Sequence, residues 1–84
     1  MSEEQIGIVT HYFGKISVAG IEITKGKLVS GDRIRIKGHT TDFEQNVDSI
    51  QIDLKSVEKV KKGDSIGIKV MDRVREHDLV FIVK

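Results

Sequence analysis

The chain has 84 residues, with fourteen Lys and Arg against thirteen Asp and Glu, and no cysteine. That length allows one domain with a marginal core, and the missing thiols exclude both a disulfide framework and a thiolate metal site. Near-neutral charge excludes a histone-like polycation but leaves room for a local basic patch.

Ile and Val greatly outnumber Leu, and Ala is nearly absent, which favours sheet over helix. The start, Met1-Ser2-Glu3-Glu4-Gln5, is polar and acidic and does not read as a signal peptide; residues 1–5 are a candidate disordered segment. A first strand is expected over Ile6–Phe13, a turn at Gly14-Lys15, and a second strand over Ser17–Ile23. Turns follow at Lys25-Gly26-Lys27 and Val29-Ser30-Gly31-Asp32. The third strand is Arg33–Lys37, with Ile34 and Ile36 inward and Arg33, Arg35 and Lys37 outward. Gly38–Asp42 is a polar connection.

The fourth strand is expected over Phe43–Asp53, with a defect. Phe43, Gln45 and Val47 share one parity, whereas Ile50 and Ile52 share the other. A β-bulge near Ser49 would let Val47 and Ile50 both face inward. Lys55–Lys62 has a helical flavour, and a short turn is expected there. The fifth strand is Ser65–Val70, Met71–Asp78 is a charged loop, and the apolar run Leu79–Val83 is the sixth strand.

Two blocks repeat one device: Gly31-Asp32-Arg33-Ile34-Arg35-Ile36 and Gly63-Asp64-Ser65-Ile66-Gly67-Ile68. Glycine accepts positive φ, aspartate bonds the neighbouring backbone, and alternating isoleucines suit a strand with one buried face. Residues 1–84 show no linker or composition break, so the expected architecture is a single all-β domain, a small six-stranded antiparallel Greek-key barrel.

Chemistry-bearing patterns are sparse. No phosphate-cradling loop ends in Gly-Lys-Ser/Thr, so nucleotide hydrolysis by that route is excluded. His11, His39 and His77 include no close pair, and neither a nucleophile elbow nor a placed carboxylate pair is present. No catalytic residue, cofactor or metal is therefore expected. Three cationic groups stand out: Arg33, Arg35 and Lys37 on one strand face, Lys55, Lys59, Lys61 and Lys62 in one segment, and Arg73 with Arg75. Two readings of the strand stripe stay open. It either contacts phosphates, or it forms a cross-strand charge ladder with Glu44 and Asp48. His39, Thr40 and Thr41 either bind a partner or satisfy their own turn. Among the aromatics, Phe43 and Phe81 are assigned to the core, and one of the adjacent Tyr12 and Phe13 must face out.

The order Phe13-Gly14, Val18-Ala19-Gly20-Ile21-Glu22, Gly26, Gly31–Ile36, Val47–Ile52, Lys55, Val57 and Gly63–Ile68 resembles the second domain of the elongation factor Tu and initiation factor family of translational GTPases. It is closest to small stand-alone translation elongation factor-like proteins that consist of this barrel. The resemblance implies the Greek-key barrel independently of periodicity. It also implies a non-enzymatic module that contacts RNA (tRNA or ribosomal RNA) or the ribosome; the expected compartment is the cytoplasm, whose reducing conditions the missing cysteines suit. Arg33, Arg35, Lys37, His39, Thr40, Thr41, Lys59, Lys61, Lys62, Arg73 and Arg75 are the candidate contacts. The alternative is a protein-interaction or accessory module without direct RNA contact, of the kind attached to peptidase-like enzymes. The family commonly has glycine before the last strand, where this chain has His77-Asp78. Either that turn differs or His77 adopts a strained positive φ.

Overall fold

The computed structural model describes residues 3–83. Among them the structure is all β: β1 (Glu3–Phe13), β2 (Val18–Ile23), β3 (Lys27–Val29), β4 (Arg33–Lys37), β5 (Asp42–Asn46), β6 (Ile50–Ile52), β7 (Lys55–Val57), β8 (Lys59–Lys61), β9 (Ser65–Lys69) and β10 (Leu79–Val83). Eight strands form one sheet in the order β5-β4-β10-β1-β2-β9-β6-β7, and β3 pairs with β8 as a separate ribbon. Every pairing is antiparallel. Of the candidate disordered segment, residues 1 and 2 lie outside the described residues, while Glu3–Gln5 pair with Phe81–Val83.

Alternation sets the inner face. Ala19, Ile21 and Ile23 of β2, Ile34 and Ile36 of β4, and Ile66 and Ile68 of β9 are all buried, with Val9, Leu28, Val47, Ile50, Val60 and Val80. Tyr12 and Phe43 pack partly against this core, and Phe13 is the aromatic that faces out. Phe81 is only half-buried, because β10 runs between β1 and β4 with its odd positions outward.

The two Gly-Asp blocks are one turn used twice. Gly31 and Gly63 supply positive φ (99° and 98°). Asp32 Oδ2 accepts from Val29 N, and Asp64 Oδ2 accepts from Lys61 N, each at 3.0 Å. Both aspartate amides donate back, to Val29 O and Lys61 O, again at 3.0 Å. Each turn also exchanges two backbone bonds with a buried apolar residue, Val47 for the first and Ile23 for the second. Ser30 N donates to Glu58 O and Lys62 N to Gly26 O, so the two turns are tied by reciprocal bonds at opposite ends of the β3–β8 ribbon. The buried pair Leu28–Val60 is at the centre of the β3–β8 ribbon.

Three expectations are revised. The architecture has ten strands rather than six, and its main sheet is open: β5 and β7 end it without a pairing between them. The expected fourth strand is broken, not bulged. Its first half pairs with β4 and its second half with β9, so the parity change at 47–49 marks a crossing between strand partners. Lys55–Lys62 is not a lone turn but two short strands, whose lysines alternate with Val57 and Val60. Their length of three residues each makes periodicity hard to read.

A side chain spans part of the open side. Gln45, buried on β5, donates from Nε2 to Lys69 O and accepts at Oε1 from Met71 N, both at 2.9 Å. One primary amide thus satisfies two backbone groups that a paired strand would otherwise meet.

Candidate docking site

The stripe on β4 is a charge ladder. Across the β4–β5 register Arg35 stands opposite Glu44 and Lys37 opposite Asp42. The guanidinium of Arg35 reaches diagonally and grips Asp42 at both oxygens (Nε–Oδ1 2.7 Å, Nη2–Oδ2 2.9 Å). Its Nη1 binds Glu3 Oε2 at 3.0 Å. Arg33 Nε lies 3.6 Å from Glu44 Oε1. The Asp42 partnership, followed by Glu3, pushes the Arg35 pKa up, and the Arg35 hydrogen bonds hold Asp42 below the usual carboxylate range. The sequence named Glu44 correctly; Asp48 lies past the end of β5, and Asp42 and Glu3 take the larger part.

The other candidate contacts are dispersed. His39 and Thr40 are exposed in the loop after β4, whereas Thr41 is buried and its carbonyl accepts from Gly38 N at 2.7 Å. Lys59 and Lys61 lie on β8 with Lys62 just beyond. Arg73 and Arg75 line a shallow depression with His11, Tyr12 and Glu76, where His11 Nδ1 stands 3.8 Å from Glu76 Oε1. The Arg75 amide donates to buried Asp78 (2.9 Å), and His77 takes a φ of 75°, the strained alternative of the two expected. Among the described residues no group of three or more His, Cys, Asp or Glu is placed to hold a metal. No helix there is long and apolar enough to cross a membrane.

A different surface was not legible in the sequence. On the outer face of β2, β9 and β6, Gly20 stands directly opposite Gly67, and Gly67 opposite Gln51. These residues floor an open groove of about 310 Å³. Phe13, Ile16 and Val18 wall one side, and Leu54 rises from the other. Phe13 is 47% exposed, Ile16 62% and Leu54 92%. Leu54 forms with Asp53 the two-residue turn joining β6 to β7, and both have positive φ, 68° and 51°. That is the backbone of a type I′ hairpin turn, where Asn-Gly or Asp-Gly is usual and a leucine is strained. The available signal was a bulky aliphatic residue at each of two turns, Lys15-Ile16-Ser17 and Asp53-Leu54-Lys55.

No family model matches the chain. It is 44% identical over 81 residues to an uncharacterized protease of Methanocaldococcus jannaschii, an alignment that covers 95% of this chain and 20% of that protein. It is 40% identical over 77 residues to a collagenase of Porphyromonas gingivalis, covering 90% of this chain and 21% of the collagenase. The chain thus spans about one-fifth of the length of these curated relatives. Among solved structures, the C-terminal domain of a Geobacillus thermoleovorans protein described as a U32 peptidase superposes with a TM-score of 0.89. That match has 15% identity over 96% of this chain and 93% of the other.

The fold is that of this peptidase C-terminal domain. The expected kinship with the second domain of the translational GTPases is overturned, because the relatives and the structural neighbour are all described as peptidases. The RNA or ribosome partner inferred from that kinship falls with it. The turn-into-strand device recurs among small β domains and does not by itself distinguish one family from another. The two arginines of the strand stripe, moreover, are paired with carboxylates rather than left for phosphates.

Proposed function

We propose that this chain is a non-catalytic docking domain that holds a polypeptide partner, a peptidase-like body, in the groove between Phe13, Ile16 and Leu54. The observation that carries this reading is Leu54. A 92%-exposed leucine sits on a left-handed backbone beside two further exposed apolar side chains and a floor of facing glycines. In the free domain its side chain gains almost nothing from burial, while its backbone is strained. Such an arrangement suits a surface that is covered in its working state. The partner is taken to be polypeptide because sequences like this one make up about one-fifth of longer chains described as a protease and a collagenase.

In this reading the open sheet works as a barrel closed on one side by the Gln45 amide, a rigid body that presents the groove. The domain uses no cofactor and carries no reaction, and the absence of cysteine suits the reducing cytoplasm. Site-specific photo-crosslinking in the source cells tests it, with the crosslinker at position 54 or 16 and a control at position 44. The expected adduct is a nuclease-resistant polypeptide whose sequence aligns with the parts of the relatives outside the matched segment. An RNA adduct, or equal yields from all three positions, would overturn the proposal.

A further inference from the structure

The β3–β8 ribbon carries a second feature, which the apolar groove does not use. Its inward residues, Leu28 and Val60, are fully buried, so Lys27, Lys59 and Lys61 all point outward. Lys27 stands directly opposite Lys61. Like charges facing each other across an antiparallel pair are destabilising. Lys25 and Lys62, also exposed, flank them, with Lys62 N bonded to Gly26 O. Among the described residues none of these five ammonium groups has a carboxylate within ion-pairing distance. Asp32 and Asp64, in the turns beside the ribbon, have carboxylates bonded to backbone amides. The contrast with β4 is direct. There each arginine has a carboxylate partner, while here two lysines face each other with none. The sequence named Lys59, Lys61 and Lys62 but missed Lys25 and Lys27, because the pairing of β3 with β8 joins segments about thirty residues apart.

We infer that the β3–β8 lysine ribbon is a second contact, taking an acidic stretch of the polypeptide partner; this rests on the docking reading above. Three lysines on the ribbon and two beside it, none ion-paired among the described residues, are complementary to a run of carboxylates, which would remove the Lys27–Lys61 repulsion on binding. The ribbon carries no aromatic ring on which a nucleic-acid base could stack, which favours polypeptide over single-stranded RNA.

Fluorescence anisotropy with a labelled oligo-glutamate peptide tests this. The affinity should fall about tenfold or more between roughly 20 mM and 300 mM salt, as the screening length shortens. Lys27→Glu with Lys61→Glu should abolish binding. Lys27→Glu alone puts opposite charges across the pair, so it should raise thermal stability and still weaken the peptide, which separates lost contact from lost fold. Leu54→Glu should bind the peptide like the wild type, so failure of the ribbon and failure of the groove are read separately. Salt-independent binding, indifference to charge reversal, or tighter binding of an oligouridylate of equal charge would each overturn the inference.

Discussion

Replacing Leu54 by glycine should make the free domain more stable. At a φ of 68° the leucine Cβ crowds the following carbonyl, a left-handed penalty of about 1–2 kcal/mol. Glycine removes it, at the cost of the extra freedom it has in the unfolded chain, roughly 0.5–1 kcal/mol. Because the side chain is 92% exposed, almost no packing is lost. Taking the middle of each range, the net expectation is a gain of about 0.75 kcal/mol, or a rise in Tm of about 3–6 °C for a domain of this size. Thermal and urea unfolding followed by circular dichroism would measure it. Leu54→Ala, which keeps the Cβ and the strain, should stay within about 0.5 kcal/mol of wild type. If Leu54→Gly were instead destabilising by more than that, Leu54 would be packed in the free domain and the groove would lose its rationale.

Three further perturbations probe the scaffold. Gly38→Ala would place a methyl group against the buried carboxylate of Asp78, which holds the Arg75 amide, and should cost about 1–3 kcal/mol in urea unfolding. Gln45→Leu keeps the bulk but strands Lys69 O and Met71 N; a loss of about 1–3 kcal/mol is expected, with faster hydrogen exchange at the Met71 amide. The Asp42–Arg35 pair should give a pH-dependent difference between wild type and Asp42→Asn. The Asp42 pKa is depressed in the folded state, so its contribution is present in full above the ordinary carboxylate range and disappears as pH falls through the folded pKa. Parallel denaturation curves at neutral and strongly acid pH would show the difference narrowing, and a widening gap would contradict the pairing.

The inner face of the fold was legible because isoleucines alternate in β2, β4 and β9, and the Gly-Asp repeat announced two turns that the structure contains in matching detail. The ribbon and the β6–β7 hairpin were not legible. Three-residue strands hold too few alternations, and their partners are set by tertiary contacts. The parity change at 47–49 is visible in the sequence, but only the pairing of β6 with β9 tells a break from a bulge. The charge ladder was half readable: one residue's parity fixes its face, but Asp42 and Glu3 reach Arg35 through a diagonal and a different strand. The groove was the least accessible, because turn propensity treats Ile16 and Leu54 as misfits and cannot show that both border the same pair of glycines.

Titration calorimetry with the purified polypeptide captured at position 54 addresses the docking claim most directly. Burying one leucine contributes roughly 1.5–3 kcal/mol, so Leu54→Glu and Leu54→Gly should each weaken binding by about ten- to a hundredfold while the domain stays folded. Unchanged affinity in both variants would show that the partner is held elsewhere, and that this exposed leucine does not serve docking.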